Sequence, residues 1–307
     1  MSKTSIFLAP MQGYTDHVFR VALHRCFDGV DMMFTPFMRL EGGALRSRDS
    51  RELAAVMAEP CTVPQILPKN EQETMVLCRL VRDAGATRVD INMSCPFPPV
   101  VKSGRGAGLL ASADEVRRVL SVTEQMPDVE FSLKLRLGID SAEGWREHIA
   151  AINEARLSHV SMHLRTASQQ YQGMADADDF AEFFAACAHP CVYNGDVDSV
   201  ARAEQIAERY SGVRAVMIGR ALVAHPHLLA EGLPRAEQLE RLRNFYDTLS
   251  QTYRERLCGD MQWLDKMQSL WHLFLPDADK KLRKKVLKTR KPDAFAAYAA
   301  ELLSRYE

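Results

Sequence analysis

Eight short apolar runs, separated by longer amphipathic stretches, constrain the fold of this 307-residue chain more than any other feature. Strands that alternate with helices indicate βαβ units and a parallel sheet. Eight such units are the number in a closed (β/α)8 barrel, and an open doubly wound sheet is the main alternative. The apolar runs are Ile6–Ala9, Asp31–Thr35, Thr62–Leu67, Arg88–Asn92, Glu130–Leu135, His159–His163, Pro190–Tyr193 and Ala215–Ile218.

Helical periodicity occupies the intervals between these runs, most weakly between the second and third, where only Arg51–Ala58 fits. From about Pro234 the pattern is helical to the end, and Pro276 and Pro292 divide it into three or four helices. We therefore predict an α/β fold, a (β/α)8 barrel over residues 1–233 followed by a small all-helical domain over residues 234–307. The other predicted helices are Asp16–Cys26, Gln72–Ala84, Ala113–Gln125, Ala142–Ala155, Asp178–Ala186 and Val200–Tyr210.

Composition places the chain among ordinary globular proteins, with 47% hydrophobic and 26% charged residues. No apolar run approaches the ~18 residues that a membrane span needs, and the N-terminus lacks the apolar stretch of a signal peptide. We expect a cytoplasmic protein, by default a monomer. The nearby Cys187, His189 and Cys191 could suggest a metal site, but structural zinc takes four ligands and no second pair follows. We therefore predict no metal and two structural cysteines.

Charge is distributed unevenly, although the formal net charge is only −1. The segment from Lys280 to Lys291 contains no acidic residue and includes Lys284 and Lys285. A basic stretch in a near-neutral chain can form a local phosphate-binding face for nucleic acid. A solvated helix face is the alternative, and charge alone does not choose between them.

Polar groups end nearly every apolar run, at the positions where a (β/α)8 barrel gathers its chemistry. Asn194-Gly195-Asp196 follows the seventh run and Gly219-Arg220 the eighth. Barrels commonly bind phosphate with these two loops, because glycine lets the backbone approach an anion and an arginine adds a cation. The phosphate of flavin mononucleotide (FMN) would suit such a site.

Lys134 emerges from an apolar strand and must reach the barrel mouth or a counter-charge, because burying it unpaired is costly. Near the N1/O2 edge of a flavin, its ammonium group would stabilise the anionic reduced ring. A salt bridge to a neighbouring acid is the alternative.

Cys95 follows another strand and precedes a loop rich in proline and glycine. With a reference pKa of about 8.5, its thiol is mostly protonated at neutral pH and can act as a general acid. The later pattern Gly104-x-Gly106-x-Gly108 does not join a strand directly to a helix, so we reject a dinucleotide-binding site there.

These residues together resemble the tRNA-dihydrouridine synthases along nearly the whole chain. Single motifs of this kind recur in other flavin barrels, but the complete set in this order, with the cysteine loop, is highly specific. The motifs that carry the resemblance are Leu8–Arg20, Asp90–Pro96, Lys134–Asp140, His163–Asp176, Asn194-Gly195-Asp196 and Ile218-Gly219-Arg220.

The resemblance implies that NADPH, or NADH, reduces a bound FMN and that a uridine is flipped out of tRNA onto the flavin. Hydride would pass to C6 of the uracil while Cys95 gives a proton to C5. Asn92 and Arg165 would position the flavin or the base, and Lys266, Lys284 and Lys285 would contact the tRNA. The implied FMN ligands are Pro10, Met11, Gln12, Gln65, Lys134, His163, Asn194, Gly195, Asp196, Gly219 and Arg220.

The chain departs from the family pattern at Ser94, Pro98, Pro99 and Leu164, which affect the predicted uridine pocket. Its length and helical end suggest the bacterial C-type subgroup. Two alternatives remain open: a flavin barrel acting on a free pyrimidine, as in a dihydroorotate dehydrogenase, and a non-catalytic RNA-binding relative. The basic helical segment argues against the first, because a free pyrimidine needs no such surface.

Overall fold

A computed structural model describes residues 4–59, 61–175 and 177–306 of the protein. Nine of the strands in these ranges form one sheet, and the other two form a short hairpin. In chain order the strands are β1 (Ile6–Leu8), β2 (Met32–Phe34), β3 (Leu40–Glu41), β4 (Ala44–Leu45), β5 (Thr62–Val63), β6 (Gln65–Ile66), β7 (Arg88–Met93), β8 (Glu130–Arg136), β9 (His159–His163), β10 (Cys191–Asn194) and β11 (Ala215–Ile218).

The nine-stranded sheet closes into a ring. Its order is β5-β2-β1-β11-β10-β9-β8-β7-β6, and every pair in it is parallel. The two end strands, β5 and β6, are separated in sequence only by Pro64, which has no N–H for the ladder. One stretch of chain therefore pairs with β2 on one side and β7 on the other. The predicted (β/α)8 barrel is confirmed, and the open sheet is excluded.

Helices occupy the intervals between the strands, as predicted, with ends that differ by a few residues. The helical end of the chain contains four helices, α10 to α13 below. In chain order the helices are α1 (His17–Cys26), α2 (Ser47–Val56), α3 (Glu71–Asp83), α4 (Pro98–Lys102), α5 (Ala113–Gln125), α6 (Ile149–Glu154), α7 (Ala177–Ala186), α8 (Val200–Arg209), α9 (Arg220–Ala224), α10 (Arg235–Arg256), α11 (Asp260–Trp271), α12 (Lys280–Lys288) and α13 (Pro292–Arg305).

One predicted helix, Ala142–Ala155, is wrong in its first half. A 3-10 turn, Gly144–Glu147, stands there, and α6 begins only after it. The Trp145 N–H donates to the Leu137 carbonyl at 2.6 Å, so the turn is bonded to the end of β8 and not into a helical ladder. Gly138 and Gly144 permit this close backbone approach, because a Cβ on Gly138 would lie 3.0 Å from Gly144 Cα.

The barrel interior changes from apolar to polar along the strands. An apolar cluster fills one part and includes Phe7, Phe34 and Met217. His159 packs edge-on against Phe7 and Phe34, and burial lowers the pKa of its imidazole to about 3, so it is a neutral core residue. Parallel register places Asn194 beside Met217 on the same face, and polar residues continue around the ring from there.

The chain divides into two compact units. The first contains residues up to Pro10, Asp31–Val197 and Ala201–Ile218, and therefore the whole barrel sheet. The second contains Met11–Val30, Asp198–Val200 and the chain from Gly219 onward. The predicted division at residues 233 and 234 stays a prediction.

Within the second unit, α1 packs on α10 through an edge-to-face contact of Phe19 with Phe245, whose ring centroids are 5.3 Å apart. Tyr246 and Trp271 pack together in the same unit, and the Trp271 indole N–H donates to the Tyr246 hydroxyl at 3.3 Å. Among the described residues, no helix combines the length and the apolar character needed to cross a membrane.

Candidate active site at the strand ends of the barrel

A chain of buried side-chain hydrogen bonds crosses three barrel strands. Ser132 Oγ donates to Asp90 Oδ1 at 2.6 Å, and Gln65 Nε2 donates to Asp90 Oδ2 at 2.7 Å. Asn92 Nδ2 in turn donates to Gln65 Oε1 at 2.7 Å. Burial raises the pKa of the Asp90 carboxyl to about 6, although the hydrogen bonds from Ser132 and Gln65 and the Lys134 charge oppose the rise. The structure thus brings Gln65 and Asn92 together, and their expected contacts with flavin and base stay predictions.

Asn92 carries this chain to the residues that follow β7. Its Oδ1 accepts the backbone N–H groups of Ser94 and Cys95, each at 2.9 Å. One side chain therefore satisfies the two backbone donors that begin the Cys95 loop, defined here as residues 94–97.

Lys134 is buried next to the start of this loop, and the hydrogen-bond partners of its ammonium are neutral. Its Nζ donates to Asn194 Oδ1 at 2.9 Å and to Ser94 Oγ at 3.4 Å, and Asn194 Nδ2 donates to the Met217 carbonyl at 2.9 Å. Burial, reinforced by the neighbouring Arg136 charge, lowers the pKa of Lys134 to about 7. Among the described residues Lys134 has no carboxylate salt bridge, so the alternative role proposed for it gains no support.

Two buried arginines hold the loop that follows β9. Arg136 Nε donates to the Ser94 carbonyl at 2.7 Å, and its Nη1 donates to the Thr166 carbonyl at 3.0 Å and the Gln170 carbonyl at 2.9 Å. One guanidinium therefore ties the Cys95 loop to the loop after β9, defined as residues 164–175.

Arg165 holds the same β9 loop from its other end. It donates to the carbonyls of Gln172 and Gly173 and pairs with Asp196 Oδ2 at 2.5 Å. Its predicted contact with flavin or base stays a prediction; Nη1 of Arg165 is buried without a hydrogen-bond partner among the described residues. Asp176, the last residue of the motif that began at His163, lies outside the described residues.

Cys95 is half-buried, and burial raises the pKa of its thiol. The backbone of Phe97 and the charges of Arg136 and Lys134 oppose that rise. Gly106 lies against the cysteine, since a Cβ there would be 2.8 Å from the Cys95 carbonyl oxygen. The glycine pattern rejected as a nucleotide site therefore allows a close backbone approach to Cys95.

The loop after β10 contains two residues with positive φ, Gly195 and Asp196, and the Asp196 carboxylate accepts hydrogen bonds from the loop after β9. Gly195 has φ +147°, and a Cβ there would lie 2.9 Å from Ala175 Cβ. Asp196 has φ +46° and accepts the Ala175 N–H at 2.9 Å as well as Arg165. Asp196 thus holds the β9 loop, a role that its sequence position did not indicate.

His163 is buried at the end of β9, and its ring centroid lies 6.3 Å from that of Tyr171.

The remaining predicted flavin ligands stand at the end of the first unit and in the second. Pro10 follows β1, where the Ala9 N–H donates to the Ile218 carbonyl at 2.8 Å. Met11 N–H donates to Thr15 Oγ1 at 2.8 Å, and Gln12 is exposed. Gly219 precedes α9, and the exposed Arg220 is its first residue.

Lys266, predicted to face RNA, is engaged within the second unit. Its Nζ lies 2.8 Å from Asp16 Oδ2, donates to the Gly13 carbonyl at 2.9 Å and stands 4.8 Å from the Tyr253 ring centroid. Its expected contact with RNA stays a prediction.

The basic segment around α12 has two kinds of residue. Arg283 donates to the carbonyls of Trp271 and His272, and Arg290 pairs with Asp265 at 2.7 Å. Lys284 and Lys285 are exposed, and Lys285 Nζ lies 5.1 Å from the Tyr298 ring centroid.

Sequence reasoning missed the parts that Asp90, Ser132 and Arg136 play in this site. Asp90 lies two positions before Asn92 in an apolar strand, so both face the same side, and an acid in that place is a signal that could have been used.

The described residues fit a flavin at this end of the barrel. The buried Lys134 ammonium has only neutral hydrogen-bond partners, which suits an anionic group. Ser161, beside Lys134 in the sheet register, has a buried hydroxyl with no partner among the described residues. Buried polar atoms are normally satisfied, so such atoms indicate a ligand.

Comparison with known proteins identifies the family. The family model described as dihydrouridine synthase (Dus) matches residues 7–264. The tRNA-dihydrouridine synthase B of Xanthomonas campestris pv. campestris is 34% identical over 227 residues, which are 74% of this chain and 68% of that protein. The protein of that name from Pseudomonas putida is 30% identical over 254 residues, 78% of this chain and 74% of that protein.

Solved structures share the fold at low identity. A variant of NCR from Zymomonas mobilis gives a TM-score of 0.51 at 12% identity, covering 75% of this chain and 87% of that chain. Histamine dehydrogenase from Rhizobium sp. 4-9 gives 0.55 at 11% identity, covering 98% of this chain and 62% of that chain.

The relatives named above carry the B-type name, so the suggested C-type subgroup gains no support from them. The family prediction itself is confirmed. This chain belongs to the dihydrouridine synthase family.

Proposed function

We propose that the protein is a flavin-dependent tRNA-dihydrouridine synthase that reduces the C5–C6 bond of a uridine in tRNA, with NADPH or NADH as reductant. The observation that carries the proposal is the connection between Cys95 and Lys134. Ser94, next to the cysteine, is contacted by Lys134 Nζ through its hydroxyl and by Arg136 Nε through its carbonyl. A proton donor and a buried cation are thus fixed to one polar region at the strand ends.

FMN would be held in the barrel by Gln65, Lys134, His163, Asn194 and the loop at Gly195 and Asp196. The bound flavin supplies a hydride. Lys134 would place a positive charge beside the bound flavin, and its hydrogen bond to Asn194 would hold that charge in place. Pro10, Met11, Gln12, Gly219 and Arg220 remain predicted ligands on the strength of the family resemblance.

Cys95 holds the proton that C5 of the uracil must receive. Because burial raises the pKa of its thiol, the protonated form dominates at neutral pH. Transfer breaks the S–H bond and forms a C–H bond at C5, and the hydride completes reduction at C6. The positive charges of Arg136 and Lys134 stabilise the thiolate that remains until solvent protonates it again.

The exposed Lys284 and Lys285 on α12 would contact tRNA phosphates, which fixes register and supplies affinity without reading base identity. Asn92 and Arg165 would position the flavin or base. Asn92 accepts the Cys95 N–H, so it would act on the base through the position of the Cys95 loop.

Undermodified tRNA transcript, free uracil and free orotate, each offered with NADPH, would test the proposal. Dihydrouridine in the tRNA, measured by mass spectrometry, is the expected product. Turnover of a free pyrimidine alone would favour the free-pyrimidine alternative, and a colourless protein that binds tRNA but takes up no flavin would favour the RNA-binding relative.

Replacing Cys95 with alanine tests its role as the proton donor. We expect flavin content and tRNA binding to persist while product formation falls about 10²–10⁴-fold, the usual loss when a general acid is removed. Unchanged turnover in this variant would assign the proton donor to another group.

A further inference from the structure

We propose that Asp90 is a positioning residue for this reaction: its carboxylate fixes which way the Gln65 and Asn92 amides face, and so sets the position of Cys95. The inference rests on the proposed function. Asp90 does not contact the cysteine; the effect passes through two amide side chains.

The argument begins with what each group can donate. A carboxylate only accepts hydrogen bonds, whereas a side-chain amide has one donating and one accepting end. Because Asp90 Oδ2 accepts from Gln65 Nε2, the oxygen of Gln65 must face the other way, toward Asn92. Asn92 then offers its Nδ2 to Gln65, which leaves its Oδ1 for the backbone. One acceptor-only group at the end of the chain determines the orientation of both amides.

The orientation of Asn92 matters for the Cys95 loop. Its Oδ1 accepts the N–H groups of Ser94 and Cys95, each at 2.9 Å. Turned over, the amide would present an NH₂ group to two N–H groups, and both hydrogen bonds would be lost. The loop has other anchors, namely Arg136 on the Ser94 carbonyl and the Ala107 N–H on the Cys95 carbonyl at 3.1 Å. Loss of the Asn92 contacts would therefore displace Cys95 without unfolding the barrel.

The choice of an acid at this position also argues for a role beyond packing. Asp90 is fully buried and receives hydrogen bonds from two neutral groups, Ser132 and Gln65. Burying a carboxylate in this way is costly, and apolar residues of similar size commonly stabilise a core at least as well. Unfavourable burial of an ionisable group next to a reactive one is typical of functional sites.

Replacing Asp90 with asparagine tests the inference, because asparagine has the same shape but can present either an oxygen or an NH₂ group to Gln65. In the flavin-loaded protein we expect tRNA affinity to match the wild type, and the rate of flavin reduction by NADPH to change less than the rate of uridine reduction. Single-turnover reduction of tRNA uridine should fall roughly 10–100-fold, since a small misplacement of a reacting group has effects of that order.

Alkylation of Cys95 by iodoacetamide gives a second readout that does not depend on turnover. Its rate, followed by peptide mass spectrometry, should change severalfold in Asp90→Asn while the exposed Cys61 and Cys258 react as in the wild type. The matched variant Ser132→Ala removes the other hydrogen bond to Asp90 and leaves the Gln65 contact, so its effects should be clearly smaller.

Wild-type rates of uridine reduction and of Cys95 alkylation in Asp90→Asn would overturn the inference. Asp90→Ser serves as a second, smaller neutral variant, and loss of flavin and of cooperative unfolding in both variants would assign Asp90 a structural role and overturn it too. If wild-type protein does not reduce tRNA uridine, the proposed function fails, and the alkylation result still decides whether Asp90 positions Cys95.

Discussion

Replacing Lys134 with methionine is expected to stabilise the flavin-free protein at neutral pH, although it removes a residue of the site. Burial lowers the pKa of this lysine from 10.5 to about 7. At about 1.4 kcal/mol per unit, the charged form costs the folded state about 5 kcal/mol. Removing the lysine also leaves Asn194 Oδ1 without its donor, which costs about 1–3 kcal/mol. The net stabilisation is therefore about 2–4 kcal/mol.

The pH dependence of this difference follows from the direction of the pKa shift. Below about pH 7 the lysine is charged in both the folded and the unfolded state, so the full penalty applies. Between about pH 7 and 10.5 the folded protein releases the proton while the unfolded chain keeps it. The free energy of unfolding of the wild type therefore rises relative to that of the variant over this interval. The advantage of Lys134→Met should therefore shrink as pH rises through this interval.

Urea unfolding of both proteins after removal of flavin, at about pH 6 and about pH 9.5, measures the difference directly. We expect Lys134→Met to have a higher urea midpoint than the wild type at the lower pH, and the difference between the two midpoints to be smaller at the higher pH. A variant less stable than the wild type near neutral pH, or an advantage that does not change with pH, would refute the conclusion that burial penalises this ammonium.

Two further predictions concern Gly106 and α12. Gly106→Ala introduces a Cβ 2.8 Å from the Cys95 carbonyl oxygen at a residue with φ +55°, so it should lower the free energy of unfolding by about 1–3 kcal/mol and slow uridine reduction, both measurable on the purified variant. Normal turnover in Gly106→Ala would mean that the Cys95 loop accommodates the added Cβ without loss of function. Lys284→Glu combined with Lys285→Glu should weaken tRNA binding and reduce the slope of log K against log salt by about two; an unchanged slope would identify these lysines as a solvated face only.

The alternation of apolar runs was enough to predict the barrel strands, because a buried strand can be recognised from the apolar residues within it. The predicted run Thr62–Leu67 shows the limit of that information. Its residues do form a barrel strand, but Pro64 divides it into β5 and β6, each pairing with a different neighbour. The predicted helix Ala142–Ala155 was wrong in its first half for a related reason: the Trp145 N–H donates to the carbonyl of Leu137, which directly follows the preceding strand.

The site was predicted less completely than the fold. Lys134, Asn92 and Cys95 were placed at the strand ends, because strand ends of a parallel barrel meet on one side. Their partners were not predicted, since the contacts join residues far apart in the chain: Asn92 with Gln65, 27 positions away, and Lys134 with Asn194, 60 positions away.

The sequence alone determined the residue types at the strand ends, the alternation of strands and helices and the resemblance to the family, because these depend on local pattern and motif. Only the tertiary structure decided which charges are engaged and which way each amide faces. Lys266, predicted to face RNA, binds Asp16 and the Gly13 carbonyl, 250 and 253 positions earlier in the chain. A hydrogen bond needs two groups within about 3 Å in the right orientation, and only the folded chain brings such distant groups together.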